Sequence, residues 1–262
     1  MSITIAVAGK GGTGKTAISA LLAALLAKES PPILAVDGDP ATNLHLALGL
    51  SLDDATNTIG GIRELMEKKI TLGEFAPGFD KQAWLDTRIF EGLVESVGLD
   101  FIAMGRSESE GCYCAVNHML RHILDKLAGN YNYVVIDNEA GMEHISRQTT
   151  RDVDVLLIIS DPTVRGITAA VRTKKLIHEL RTNVGQIHLV VNRLNGDISW
   201  QMKELIAEAE LDLLVTIPED PNMAPLEAAG RPLTQLPEDS PLQKAVMAIA
   251  VKTGLIGVSP PR

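Results

Sequence analysis

Cysteine is nearly missing from this chain. Two occur among 262 residues, both inside the tetrapeptide GCYC, as Cys112 and Cys114. So few cysteines exclude a disulfide scaffold, and Met1-Ser2 leads directly into strand-like residues with no secretory leader pattern. Both features point to free thiols in a reducing, cytoplasmic setting. Aromatic residues are also scarce, at 3%, so the core must be built from Ala, Leu, Ile and Val, as in helix-covered parallel sheets. Positive charge is in short supply, with 24 Lys and Arg against 33 Asp and Glu and a net charge of -9. That balance argues against a nucleic-acid surface. Long apolar runs are absent too. The longest, Ala17 to Ala27, is interrupted by Ser19 and falls short of the roughly 20 residues of a membrane span.

What is present is alternation. Short β-branched runs predict strands at Ile3–Ala8, Ile33–Val36, Leu99–Met104, Tyr133–Asp137, Val153–Ser160, Ile187–Val191 and Leu213–Ile217. Helical patterns lie at Lys15–Lys28, Ile62–Lys68, Lys81–Val94, Ala115–Leu127, Ile167–Leu180, Trp200–Ala209 and Pro241–Lys252. Strands and helices in this order predict a single doubly wound α/β domain over residues 1–262, with a mainly parallel sheet of about seven strands. Residues 51–98 form a helical excursion, and residues 257–262, with Pro260-Pro261, read as a loose tail.

The first strand runs into AVAGKGGTGKTAIS, which fits G-x-x-x-x-G-K-[ST] with Gly9, Gly14, Lys15 and Thr16 at the fixed positions. Glycines let backbone N–H groups curl around a phosphate, and the following helix adds its positive end. In this reading residues Gly9, Lys10, Gly11, Gly12, Thr13, Gly14, Lys15 and Thr16 cradle a nucleotide. Lys15 reaches the β- and γ-phosphates and the Thr16 hydroxyl meets Mg²⁺. A second lysine, Lys10, follows Gly9 directly. With it the loop resembles the deviant Walker A ATPases, a family that includes septum-site and partitioning ATPases, the nitrogenase iron protein and metal-cluster maturation ATPases. The resemblance implies ATP as the nucleotide and a face-to-face homodimer in which Lys10 reaches the partner's nucleotide.

Later segments extend the match. ILAVDGDPATN ends a strand with Asp37 and Asp39, where ligands bind in parallel sheets. The resemblance makes Asp39 the residue that orients the attacking water and Asp37 a Mg²⁺-linked carboxylate. YVVIDNEAG resembles a Walker B strand, with Asp137 in the Mg²⁺ shell and Gly141 facing the γ-phosphate. VVNR implies adenine contacts from Asn192 and Arg193, and IPEDP, with Pro218 and Asp220, resembles the loop that closes over the base.

Within this family, EGCYCAVN followed by YVVIDNEAGMEH resembles the CooC-type accessory ATPases of carbon monoxide dehydrogenase and their acetyl-CoA synthase relative. The residues bear on the same point. Extended residues at i and i+2 have Cα atoms about 6.6–7 Å apart, which suits an ordinary disulfide poorly. The pair precedes a predicted helix, whose N-terminus favours thiolate. Two thiolates fall short of a closed soft-metal site, and a two-fold dimer supplies two more. Cys112 and Cys114 are therefore candidate ligands for Ni²⁺ or Zn²⁺, between which the ligands do not choose. Glu108 and Glu110 add negative charge before the pair, and His118 reads as a solvated or packed helix residue.

The expected function is a cytoplasmic, Mg²⁺-dependent ATPase acting as a homodimeric nickel chaperone for a nickel-iron-sulfur client, with no nucleic-acid or membrane partner. Two alternatives stand beside it. A positioning ATPase of the septum or partition kind calls for a basic surface or a basic amphipathic anchor, whereas Pro241–Gly257 carries only Lys244 and Lys252. An iron–sulfur carrier resembling the nitrogenase iron protein calls for cysteines far apart in sequence, although four cysteines of a dimer can also bridge a cluster.

Overall fold

The computed structural model describes residues 2–106, 114–139, 152–179 and 183–257, with the backbone alone at 114–118 and 152. Among them eight strands form one sheet: β1 (Ile3–Gly9), β2 (Ile33–Gly38), β3 (Val94–Ser96), β4 (Leu99–Ala103), β5 (Tyr133–Asn138), β6 (Asp152–Ser160), β7 (Asn183–Asn192) and β8 (Asp212–Ile217). Their spatial order is β3-β4-β2-β5-β1-β6-β7-β8. Every pairing is parallel except β3 with β4. The expected single domain with a mainly parallel sheet of about seven strands is what the structure shows, with eight strands among the described residues. The added strand is a three-residue hairpin arm at the sheet edge, and its first residue, Val94, is where the helical pattern predicts the end of a helix. That helix stops at Glu91, where Gly92 follows as its C-cap.

Helices cover both faces of the sheet. On one side lie α1 (Lys15–Glu29) and, at the end of the described chain, α9 (Pro241–Lys252). Ile18, Leu21, Leu22 and Leu26 of α1 pack with Val246 and Ile249 of α9 against Ile5, Val7, Ala35, Val135 and Leu157. The alternate residues of the same strands point the other way. Leu34, Val36, Val134 and Ile136 meet α3 (Ile59–Thr71), α4 (Lys81–Glu91) and α5 (Cys114–Leu127). Ala6, Ala8, Leu156 and Ile158 meet α6 (Val164–Glu179) and α7 (Trp200–Glu208). Two short helices, α2 (Leu44–Leu48) and α8 (Met223–Ala228), complete the set. Burial on both faces explains why β2 and β5 are continuous apolar runs. It also explains the Ala- and Leu-rich α1, whose small side chains let it lie close on the sheet.

This topology creates one edge for chemistry. The chain winds outward from β1 through β2 to β4, then crosses back through β5 to β6 on the other side of β1. The order therefore reverses at β1, and ligands in such sheets bind beyond the strands' carboxyl ends at that switch point. Register brings Asp37 of β2 level with Asp137 of β5, and Val7 of β1 level with Asp137. The excursion at 51–98 folds as α3, α4 and the β3 arm. It is anchored beside the same edge by Gly60 N–H donating to Met104 O at 2.9 Å.

Candidate nucleotide site at the carboxyl edge

The loop between β1 and α1 begins at Gly9, whose φ is +146°; a Cβ there would lie 2.2 Å from Ile159 O of β6. Only glycine lets the chain leave the sheet so close to its neighbour. The Thr13 hydroxyl donates to Lys10 O at 2.9 Å, and Lys15 Nζ donates to the same oxygen at 3.3 Å. Lys15 is nearly buried, and burial lowers its pKa against the opposing pull of Asp137, Asp39 and Glu139. Lys10, by contrast, is exposed. Helix α1 then opens directly from the loop, with its free N–H groups at the same place.

Three carboxylates converge behind and beside the loop. Asp137 Oδ2 accepts from the Thr16 hydroxyl at 2.6 Å, and its Oδ1 accepts from the Ser19 hydroxyl at 3.1 Å. Burial pushes Asp137 up to about 6, although both hydroxyls and Lys15 favour its charged form. Asp37 is fully buried, and both its oxygens accept backbone N–H groups, from Asp39 at 3.0 Å and Leu44 at 2.8 Å. Burial, and then the charge of Asp137, raise Asp37 to about 7. Asp37 thus shapes the loop that follows β2 and starts α2. Asp39 is half-buried on that loop, with its Oδ1 accepting from Ala41 N at 2.8 Å. The Thr16 and Asp137 oxygens form a hard donor pair at the mouth of α1, which fits Mg²⁺ rather than a soft metal.

The far side of the loop is held by β7. Asn192 Nδ2 donates to Thr13 O at 2.8 Å, and Arg193 Nη1 donates to Gly12 O at 3.1 Å. Both residues expected at the adenine therefore touch the phosphate loop itself. Pro218 is exposed just after β8. Asp220 is largely buried, and its carboxylate accepts from Asn222 N at 2.9 Å and from Leu242 N at 3.1 Å. It ties the loop after β8 to the first turn of α9.

Sequence reasoning did not single out Ser19 as a site residue. Its signal was a lone hydroxyl in an otherwise apolar run, three residues after Thr16. It also missed Asn138, whose Nδ2 donates to Val7 O at 3.0 Å and braces β1 where the phosphate loop begins.

Cys112, Gly141, Glu108 and Glu110 lie outside the described residues, as do the side chains of Cys114 and His118 and most of the tail at 257–262. The backbone does place Cys114 as the first residue of α5. Because β4 and β5 both run parallel to β2, their connection leaves at the carboxyl edge and returns along α5. The helix therefore opens toward the edge that carries the phosphate loop. Among the described residues no group of three or more His, Cys, Asp or Glu has metal-site geometry, and no helix is long and apolar enough to cross a membrane.

Comparison with known proteins agrees with this geometry. Residues 4–233 match the CobQ/CobB/MinD/ParA nucleotide binding domain. An uncharacterized ATP-binding protein of Methanocaldococcus jannaschii is 42% identical over 95% of this chain and 97% of its own length. The carbon monoxide dehydrogenase accessory protein CooC of Rhodospirillum rubrum is 32% identical over 86% of this chain and 87% of its own. Among solved structures, the cell division ATPase MinD of Pyrococcus furiosus superposes with a TM-score of 0.70 at 23% identity, covering 98% of this chain and all of that one. A ParA family ATPase from Chlorobium tepidum gives 0.71 at 22% identity, covering 95% and 98%. The structural likeness establishes the shared fold.

Proposed function

The chain belongs to the CobQ/CobB/MinD/ParA nucleotide-binding family and is an ATPase, and from that premise we propose that it is a dimeric, ATP-dependent carrier that delivers nickel to a nickel-iron-sulfur enzyme. The observation that carries this reading is the position of the two cysteines. They are the chain's only ones, they stand one residue apart, and the second of them, Cys114, is the first residue of α5, which opens toward the nucleotide edge. The similarity to the carbon monoxide dehydrogenase accessory protein supports a client of that class.

In this reading the nucleotide phosphates lie on the loop from Gly9 to Thr16. Lys15 leaves Lys10 O and places its charge between the β- and γ-phosphates. Thr16 and Asp137 would hold Mg²⁺, which would neutralise charge on the phosphate oxygens. Asp39 orients the water whose oxygen bonds to the γ-phosphorus as the bond to the β–γ bridging oxygen breaks, and Gly141 contacts the γ-phosphate. Asn192, Arg193, Pro218 and Asp220 border the base. Lys10, exposed on the same edge, reaches a partner's nucleotide, so ATP closes the dimer. Closure brings Cys112 and Cys114 of each chain into one four-thiolate site for Ni²⁺ or Zn²⁺.

Coupling between nucleotide and metal has a physical route. A cleft of about 530 Å³ is bordered by Ala41 and Thr42, just after Asp39, and by Arg106, six residues before Cys112. In this reading a shift of the loop after Asp39 reshapes the cleft that Arg106 also borders, and so the setting of the segment that leads to the cysteines.

The test is metal analysis of anaerobically purified protein. Nickel or zinc at about one per dimer is expected for a site of four thiolates. Metal-free protein overturns the reading in favour of a positioning ATPase, and iron with sulfide overturns it in favour of a cluster carrier.

A further inference from the structure

We infer that Asn192 and Arg193 are positioning residues for the phosphate loop: by holding two consecutive loop carbonyls they set the direction of the Gly14 N–H that receives phosphate and of the Thr13 N–H that closes the loop's internal turn. The usual expectation for a polar pair at this strand end is contact with the base. The geometry points to a second task.

Asn192 Nδ2 donates to Thr13 O at 2.8 Å in a buried setting, and Arg193 Nη1 donates to Gly12 O at 3.1 Å. A trans peptide unit is planar, with its N–H opposite its C=O. Holding Thr13 O toward β7 therefore turns the Gly14 N–H away from β7, into the loop. Holding Gly12 O does the same for the unit whose Thr13 N–H closes the internal turn onto Lys10 O at 3.4 Å. The loop is otherwise soft: Gly11 and Gly12 are exposed, and Gly12 and Gly14 have φ of +78° and +94°. Two side chains, one from the last residue of β7 and one from the residue after it, fix what the glycines leave free.

The pair is itself constrained for this task. Arg193 is not glycine yet has φ of +59°, a conformation that persists only where the surroundings impose it. The Asn192 Oδ1 accepts the Arg193 N–H at 2.9 Å, so one side chain holds both the loop and its neighbour's backbone. Gly14 completes the arrangement. A Cβ there would lie 2.4 Å from Asn192 Nδ2. The fixed glycine of the motif thus makes room for the asparagine as well as for the turn.

The test separates loop positioning from base reading. Mg²⁺-tripolyphosphate has the phosphates without the base. Its affinity, with those of ATP and GTP, is measured by displacement of a fluorescent ATP analogue from the wild type and from Asn192→Leu, a neutral variant that cannot donate to Thr13 O. Positioning predicts that tripolyphosphate and ATP both weaken, by about tenfold for one buried carbonyl left unpaired, while the wild-type preference between ATP and GTP persists. Unchanged tripolyphosphate affinity beside weakened ATP would overturn the inference and leave a base reader. Arg193→Gly keeps Asn192 and adopts the same backbone more readily. It should weaken tripolyphosphate in the same direction, by about threefold for one exposed hydrogen bond. If Asn192→Leu melts below the assay temperature, Arg193→Gly decides, and undiminished tripolyphosphate binding in it refutes the assignment.

Discussion

Asp37→Asn offers a sharp check on the buried acid pair beneath the site. In the wild type Asp37 is fully buried, beside Asp137 on the adjacent strand, and is raised from 3.8 to about 7. A folded pKa above the unfolded one means a stability contribution that is complete below about pH 4 and lost as pH rises through 7. The whole loss comes to roughly 4 kcal/mol, of which about 3 kcal/mol falls between pH 5 and 8.5. Asparagine stays neutral throughout. It also turns an amide N–H₂ toward one of the two backbone donors, Asp39 N or Leu44 N, which costs about 1–3 kcal/mol at every pH. The variant should therefore gain on wild type by about 3 kcal/mol between pH 5 and pH 8.5, and be the more stable of the two at the upper end. Urea unfolding with EDTA and without nucleotide, in steps of pH, gives the difference between the two proteins; Asp137 titrates in both and largely cancels. Parallel stability curves across this range would show that Asp37 does not titrate in the folded chain, and the assignment of a strained acid pair would fall.

Three further substitutions probe the loop and its surroundings. Lys15→Ala should cost at least tenfold in ATP affinity by removing a charge-assisted phosphate contact; wild-type turnover in that variant would remove the lysine from the chemistry. Asp39→Ala should leave ATP bound but slow hydrolysis, so that ATP-bound dimer accumulates in sizing experiments, and normal turnover would make Asp39 structural. Lys10→Ala should bind nucleotide yet fail to dimerise with ATP, and undiminished ATP-induced dimerisation by light scattering would exclude a role across the interface.

The strand ends were legible because two independent signals coincide there. An apolar run stops, and an acid or a glycine motif begins, as at Asp37, Asp137 and Gly9. Fully buried strands carry no alternation, but their β-branched composition and spacing suffice for β2 and β5. The β3 arm has three residues and only one partly buried side chain, too little for a periodicity. Helix α2 has five residues. Its start is set by the Asp37 carboxylate accepting Leu44 N–H from seven positions earlier, a contact that no helical pattern encodes. Asn192 shows the same limit over a greater distance: the motif VVNR marks a functional strand end, but its partner Thr13 lies 179 positions away. Asp220 sits in a segment read as base-closing, and its partner at Leu242 emerges only when α9 folds back against β8.

Symmetry makes the cysteine pair the most exposed part of the functional proposal. If each chain supplies Cys112 and Cys114 to a shared site, then Cys112→Ser alone removes two of four thiolates, and so does Cys114→Ser. Serine is neutral near neutral pH and a hard, weak ligand for Ni²⁺ or Zn²⁺. Each single variant should therefore lose bound metal almost as completely as the double, while ATP binding at the separate loop persists. Metal should also drive dimerisation without nucleotide, because half the ligands come from each chain. If ATP changes the spacing of the cysteines, then reciprocity requires bound metal to change ATP affinity by the same factor. Calorimetric titration of metal, with and without a non-hydrolysable ATP analogue, measures both sides of that linkage. Unchanged metal stoichiometry in the single variants would refute a shared four-thiolate site. Equal metal affinity in the two nucleotide states would retain the site and remove the mechanism by which ATP releases the metal to a client.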